Sequence, residues 1–170
     1  MTVKRANQKE LLKAPYQLFL GCGDNELAIK TSRGIAQWNP DACIAEFAGG
    51  NSPLTLGLPK MSIKDAAAAG AKTFVIGLAY AGGVVAPEWE PYIIEAIENG
   101  MDIASGLHRR LDEIPSIKKA AEKYGVGLHD VRHGYTDLKT GTGQKRSGKR
   151  ILAVGTDCSV GKMFTTLSIV

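Results

Sequence analysis

Residues 151–162 read Ile-Leu-Ala-Val-Gly-Thr-Asp-Cys-Ser-Val-Gly-Lys, an apolar run followed by a glycine-framed loop that ends in a lysine. This order is typical of a strand that leads through a phosphate-binding loop into a helix. The backbone N–H groups of such a loop and the N-terminus of its helix point at one spot, where a phosphate can bind. We therefore predict that a cofactor's phosphates bind to Gly155, Thr156, Asp157, Cys158, Ser159, Val160, Gly161 and Lys162.

The residue after the lysine departs from the usual pattern. Met163 stands where a serine or threonine normally offers a hydroxyl to Mg²⁺. Because a thioether is a poor ligand for a hard cation, we expect no metal here and favour a phosphorylated carrier over metal-assisted nucleotide hydrolysis. The alternative is that Thr165 or Thr166, in the next turn, supplies the hydroxyl.

Two side chains inside the loop can take part in chemistry. Asp157 places a carboxylate beside the phosphate site, which costs repulsion unless it faces a cation or a substrate amine. It is a candidate general base; the alternative is a carboxylate satisfied by loop N–H groups. Cys158 lies near a helix N-terminus, which lowers a thiol pKa, but we prefer a small packed residue there to an acyl-cysteine nucleophile.

Upstream of the loop, short apolar runs alternate with helix-favouring segments. The predicted strands are Tyr16–Leu20, Ala42–Phe47, Thr73–Leu78, Met101–Ala104, Val126–Val131 and Ile151–Val154, and the predicted helices are Asn25–Gln37, Ile63–Ala69, Glu88–Asn99 and Ile117–Tyr124. This alternation predicts an α/β fold, a Rossmann-like doubly wound parallel sheet followed by the first strand and loop of a truncated phosphate-loop domain. Ser62 with Asp65 has the spacing of a helix cap, and Asp24 or Asn25 can cap the first helix.

The first predicted strand leads into Gly21-Cys22-Gly23-Asp24-Asn25. This turn resembles the start of a dinucleotide-binding motif but lacks its third glycine. We therefore favour a tight strand-to-helix turn over a nicotinamide cofactor site.

Composition places the chain among globular proteins, with 44% hydrophobic and 22% charged residues among 170. No apolar run approaches the roughly 18 residues that cross a bilayer, and residues 1–5 lack a secretory signal's apolar segment. Three cysteines form neither a disulfide framework nor a metal motif. We predict a cytoplasmic location and no membrane partner.

The net charge of +4 has a local origin. Five basic residues lie between Lys139 and Arg150, in a stretch rich in Gly, Thr and Ser. Because basic side chains must be organised on one face to follow a phosphate backbone, we favour a solvated linker and expect no nucleic-acid partner. The predicted domains are residues 1–138, a linker at 139–150, and the start of a phosphate-loop domain at 151–170.

Ionisable side chains also collect near the predicted strand ends, where parallel sheets bind ligands. His108 and His129 are candidate catalytic bases, although solvated histidines are the more common case. Arg109 and Arg132 are candidates for binding a substrate carboxylate, with surface ion pairs as the alternative.

Several segments together resemble the DUF1611 family. They are Ala28-Ile29-Lys30-Thr31 with Gly34, then Val75-Ile76-Gly77 with Ala81-Gly82-Gly83 and Pro87-Glu88-Trp89, then Ser105-Gly106-Leu107-His108, and finally Gly155-Thr156-Asp157-Cys158 with Val160-Gly161-Lys162-Met163. The resemblance implies an N-terminal Rossmann-like domain and a larger C-terminal phosphate-loop domain, of which these residues carry only the beginning.

The resemblance also implies an N-acetyltransferase that moves the acetyl group of acetyl-CoA to the amino group of D-glutamate. The substrate would be a small acidic amino acid, and without the missing C-terminal domain as its partner this fragment would be inactive. Residue chemistry agrees, because a backbone-lined loop can hold coenzyme A phosphates without Mg²⁺. Asp157, His108 or His129 would accept the amine proton.

Two other hypotheses stay open at this point. One is a phosphate-loop NTPase or an ATP-dependent kinase or ligase, and the other is a non-catalytic binding or assembly domain. We expect a homo-oligomer, because the Rossmann-like part would otherwise expose loop and helix faces.

Overall fold

The computed structural model describes residues 12–133, 143–145, 147–156 and 160–169. The chain divides into two compact units, residues 1–135 and 136–170. The predicted boundary at residue 138 and part of the predicted linker lie outside the described residues, so that division stays a prediction.

The first unit is built on a five-stranded parallel sheet. Its strands are β1 (Tyr16–Phe19), β2 (Cys43–Phe47), β3 (Thr73–Ile76), β4 (Asp102–Ser105) and β5 (Leu128–Asp130). Their order in the sheet is β2-β1-β3-β4-β5, and every neighbouring pair is parallel. The α/β prediction is therefore confirmed, because each of the first five apolar runs became a strand, as runs buried on both faces do.

Four helices connect these strands: α1 (Lys30–Trp38), α2 (Ile63–Ala68), α3 (Glu90–Glu98) and α4 (Pro115–Tyr124). Helix α2 is capped as predicted, since the N–H of Asp65 donates to Ser62 Oγ at 3.1 Å. The predicted start of α1 at Asn25 is wrong by five residues. Asn25 instead closes a turn, accepting the Leu27 N–H on its side chain and the Ala28 N–H on its carbonyl.

Aromatic side chains fill one side of the core. Phe19 is fully buried, and its ring lies 5.3 Å from the ring of Phe74, 5.8 Å from Trp89 and 5.9 Å from Tyr92, measured between centroids. Trp89 belongs to a 3₁₀ turn (Pro87–Trp89) that precedes α3. The cluster therefore fixes this turn beside the carboxyl end of β1.

The second unit contains one described helix, α5 (Lys162–Ile169). The predicted strand Ile151–Val154 is not formed in this structure, and three of its side chains, Ile151, Leu152 and Val154, are about four-fifths exposed. A strand needs a neighbour for its hydrogen bonds, and residues 143–145, 147–156 and 160–169 contain no strand to pair with it. Within the described ranges, no helix has the length and apolar content needed to cross a bilayer.

Candidate phosphate-binding site

The two ends of the predicted phosphate loop lie against each other. A Cβ atom added to Gly155 would be 2.5 Å from Cγ2 of Val160 and 3.3 Å from Cγ and Cδ of Lys162. The lysine stem therefore passes directly over the first glycine of the loop. A side chain at position 155 would separate these two ends, so the turn depends on glycine there.

The loop leads directly into a helix, as predicted. Helix α5 begins at Lys162, and its hydrogen bonding starts with the Thr165 N–H, which donates to the Gly161 carbonyl at 2.9 Å. Gly161 has a φ of +90°, a conformation that side chains disfavour. The positive end of the α5 dipole therefore faces the loop, which favours an anion there.

The residues after the lysine bear on the question of a metal-binding hydroxyl. Met163 is 54% exposed at the start of the helix. Thr166 donates its hydroxyl to the Lys162 carbonyl at 2.9 Å, within its own helix. In the described part of the chain, no group of three His, Cys, Asp or Glu side chains is arranged to hold a metal ion.

Three predicted residues of this loop, Asp157, Cys158 and Ser159, lie outside the described residues. Thr156 and Val160 flank them and are exposed. The roles predicted for the loop residues, including Asp157 as a base, therefore stay predictions.

Among the candidates in the first unit, His108 lies at a junction of three loops. The N–H groups of His108 and Arg109 both donate to the Gly83 carbonyl, at 2.7 and 3.0 Å. His133 Nε2 donates to the His108 carbonyl at 2.7 Å, so this ring nitrogen carries a proton. Arg132 precedes His133 in the chain. These contacts therefore bring the segments of His108, Arg109 and Arg132 together, beyond the carboxyl ends of β4 and β5. Both arginines are exposed.

The structure places His129 elsewhere. It lies inside β5, and its Nε2 is 3.3 Å from Oδ2 of Asp102 at the amino end of β4. The missing Cβ of Gly127 leaves room for the ring, since that atom would lie 2.8 Å from Nε2. His129 is thus separated from His108, Arg109 and Arg132, which lie beyond the carboxyl ends of the same two strands.

Sequence reasoning missed Asp102, whose side chain is 5% exposed. Its carboxylate accepts hydrogen bonds from the Gly127 N–H at 2.7 Å and from Lys13 Nζ at 3.0 Å, besides His129. Burial acts to raise the pKa of Asp102, but these hydrogen bonds and the Lys13 charge outweigh it and hold the pKa well below its usual range. The one sequence signal was a lone carboxylate at the start of an apolar strand.

The pKa of Asp130, at the carboxyl end of β5, is shifted in the opposite direction. Asp130 accepts the Leu111 N–H at 3.0 Å, and burial raises its pKa above the usual range, with a smaller contribution from Asp112 in the same direction. A carboxyl group with a raised pKa can hold and release a proton closer to neutrality. It lies in the same loop region as His133, whose charge lowers its pKa in part.

Comparison with known proteins places the chain in a family. Residues 46–134 match a family model described as DUF1611_N, a Rossmann-like domain of unknown function, and residues 138–170 match the DUF1611 P-loop domain. A crystal structure of a DUF1611 family protein from Anabaena variabilis matches with a TM-score of 0.63 at 21% identity, over 77% of this chain and 40% of that one. This likeness supports the fold.

Two curated relatives carry the name D-glutamate N-acetyltransferase. The protein from a Pseudoalteromonas species is 47% identical over 93% of this chain, and that from Tritonibacter scottomollicae is 45% identical over 94%. The chain spans about half the length of these relatives, 48% in each case. The resemblance seen in the sequence motifs is confirmed: the chain belongs to the DUF1611 family.

Proposed function

We propose that the complete protein is an N-acetyltransferase that transfers the acetyl group of acetyl-CoA to the amino group of D-glutamate. The observation that carries this proposal is the identity of 45–47% with two proteins of that name, over nearly all of this chain. Because the chain spans about half of those relatives, we expect the activity to need residues beyond these 170. We further propose a cytoplasmic, homo-oligomeric enzyme.

The phosphate loop is the proposed site for the carrier. Coenzyme A carries a pyrophosphate and a ribose phosphate, and its thioester supplies the activated acetyl group. The fit rests on three features: Gly155 has no side chain where the loop closes, Lys162 lies over that glycine, and the α5 N-terminus faces the loop. With Met163 in the hydroxyl position, the backbone and Lys162 would hold the phosphates without Mg²⁺.

The acceptor side of the reaction needs a base and a dicarboxylate site. Asp157, His108 and His129 are the proposed bases, and Arg109 and Arg132 are the proposed carboxylate ligands. Exposure supports His108 over His129, because His108 is exposed beyond the carboxyl end of β4, whereas the His129 side chain is 10% exposed beside Asp102. A base that accepts the amine proton makes the nitrogen lone pair available for attack, and guanidinium groups can bind carboxylates in a bidentate way.

The test is thiol release by the complete protein with acetyl-CoA and either D- or L-glutamate. We expect free thiol and a product about 42 mass units heavier than D-glutamate, an increment that corresponds to one acetyl group replacing a hydrogen. Lys162→Ala removes a charge-assisted contact and should raise the KM for acetyl-CoA by about 10–100-fold. Lys149→Ala, an exposed lysine outside the loop, is the matched control and should have no effect.

Two outcomes would contradict this proposal. One is the absence of thiol release with every amino acid tested, and the other is equal behaviour of the two lysine variants. Turnover of Mg-ATP that Met163→Ser increases, without acetyl transfer, would favour the NTPase hypothesis. A complete protein that binds neither coenzyme A nor ATP in calorimetry would favour a non-catalytic role.

A further inference from the structure

A cleft of about 350 Å³ opens in the first unit, beyond the carboxyl ends of β1 and β3. The chain leaves β1 toward β2 on one side and returns to β3 on the other, so the strand order reverses at this place. Open parallel sheets bind their ligands at such points. The volume is at the lower end of the range for small-molecule sites.

The walls of the cleft are held in place by hydrogen bonds from neighbouring loops. The Gly49 N–H donates to the Gly21 carbonyl at 2.8 Å, and the Ser52 hydroxyl donates to the Gly23 carbonyl at 2.5 Å. On the other side, the Ala79 N–H donates to the Ala28 carbonyl at 2.7 Å. The cleft is therefore formed before any ligand arrives, which lowers the entropic cost of binding.

The chemistry of this cleft does not suit a phosphate. A dinucleotide fold presents free N–H groups at the start of its first helix, but here Asn25 accepts the N–H groups of Leu27 and Ala28. Helix α1 begins only at Lys30. Among the described residues that line the cleft, none is Lys, Arg or His.

The lining instead combines a carboxylate with aromatic and aliphatic groups. Leu20, Leu54 and Leu78 form an apolar floor. Tyr80 and Trp89 stand beside it with ring centroids 4.9 Å apart; Tyr80 is 42% exposed, whereas Trp89 is buried. Such rings attract cations through their negative faces.

Glu88 supplies the charge. It lines the cleft, is exposed, and has no ion-pair partner within the described ranges of the chain. Cys22 also lines the cleft, and the pKa of its thiol is raised, first by burial and second by the Glu88 charge. That thiol stays neutral, so the carboxylate determines the sign of the local potential.

We propose that this cleft binds a small organic cation, an amine or quaternary ammonium group carried on an apolar body. The cationic group would lie between the Glu88 carboxylate and the exposed Tyr80 ring, which packs on Trp89, and the apolar body would cover the leucine floor. This inference goes beyond the acetyl transfer proposed above and does not depend on it.

Fluorescence of Trp89 tests the proposal. The chain has two tryptophans, so Trp38→Phe leaves Trp89 as the reporter. We expect benzyltrimethylammonium to give a saturable change in emission, and toluenesulfonate, an anion of similar size, to give less than about a tenth of it. Amide shifts of residues 21–23 in NMR spectra should move with the same affinity.

Glu88→Gln in this background should weaken binding of the cation by about tenfold. Glu95→Gln on α3, an exposed carboxylate outside the cleft, should leave it unchanged. No saturable change with the cation, equal binding of the anion, or equal affinity of the two glutamate variants would overturn the proposal. Each result is independent of whether the complete protein acetylates D-glutamate.

Discussion

Replacement of Asp102 by asparagine should destabilise the chain, whereas the same replacement at Asp130 should not. The new amide at position 102 would keep an acceptor for the Gly127 N–H but would present its N–H₂ group to two other donors, Lys13 and His129. The Lys13 side chain is 70% exposed, so water can replace that partner at a cost below about 1 kcal/mol. The bond from His129, which is 10% exposed, cannot be replaced so easily.

These contributions sum to an expected loss of about 2–3 kcal/mol at pH 7 for Asp102→Asn. At Asp130 an amide oxygen can still accept the Leu111 N–H, and the unfavourable buried charge is removed. We therefore expect the free energy of unfolding of Asp130→Asn to be at most about 0.5 kcal/mol below that of the wild type, or to exceed it. Urea unfolding of the chain, followed by circular dichroism, measures both.

The stability difference between the wild type and Asp102→Asn should change with pH in the opposite direction to that between the wild type and Asp130→Asn. The pKa of Asp102 is lower in the folded state, so its contribution is present above the unfolded value of about 3.9 and is lost as the pH falls through the folded pKa. The gap between wild type and Asp102→Asn should therefore narrow below about pH 4.

The pKa of Asp130 is raised, so its contribution is present below the unfolded value and is lost as the pH rises through the folded pKa. The stability of the wild type relative to Asp130→Asn should accordingly increase as the pH falls. An Asp102→Asn chain as stable as the wild type at pH 7, or a gap that does not depend on pH, would refute this account of the carboxylate.

Four further substitutions, at three positions, test packing and the loop. Gly77→Ala should cost about 2–3 kcal/mol in the same urea assay, because its Cβ would meet the Ser32 side chain and lie 2.9 Å from the Ser32 nitrogen. Phe19→Ala should cost about 3–5 kcal/mol and Phe19→Leu less than about 1.5, measured in the same way. Gly155→Ala should lower the affinity of the complete protein for coenzyme A about tenfold in calorimetry, since the loop ends must move apart.

Gly23→Ala is the common control, because no atom lies within 4 Å of its added Cβ. A Gly77→Ala chain as stable as this control would contradict the close approach of α1 to the end of β3. Equal stability of Phe19→Ala and Phe19→Leu would show that side-chain volume at position 19 does not matter for stability. Unchanged coenzyme affinity in Gly155→Ala would mean that the loop closure is not part of the binding site.

Most of the sheet could be predicted from the sequence because the signals are local. A strand buried on both faces is a continuous apolar run, as at Thr73–Ile76, and the phosphate loop is a motif of eight consecutive residues. The start of α1 was missed because Asn25 can either cap a helix or close a turn, and the neighbouring residues alone do not decide between them. The run at 151–154 forms no strand, since the described residues after 133 offer no partner strand for its hydrogen bonds.

The grouping of candidate side chains was harder to predict, because it depends on the register between strands. Asp102 and His129 are 27 residues apart in sequence and meet only because Ala104 pairs with His129 across β4 and β5. A shift of one residue would move His129 to the other face of the sheet. The contact of His133 with the His108 carbonyl likewise joins two loops that sequence spacing does not relate.

The central position of β1 has a practical consequence for anyone expressing this domain. The family model begins at Glu46, yet β1 (Tyr16–Phe19) hydrogen-bonds to both β2 and β3, and the Lys72 N–H donates to the Pro15 carbonyl. A gene fragment that starts at Glu46, the first residue matched by the family model, would lack β1 and most of β2. Its product would expose the bare edge of β3 to other molecules and aggregate, so cloning should start upstream of Leu12.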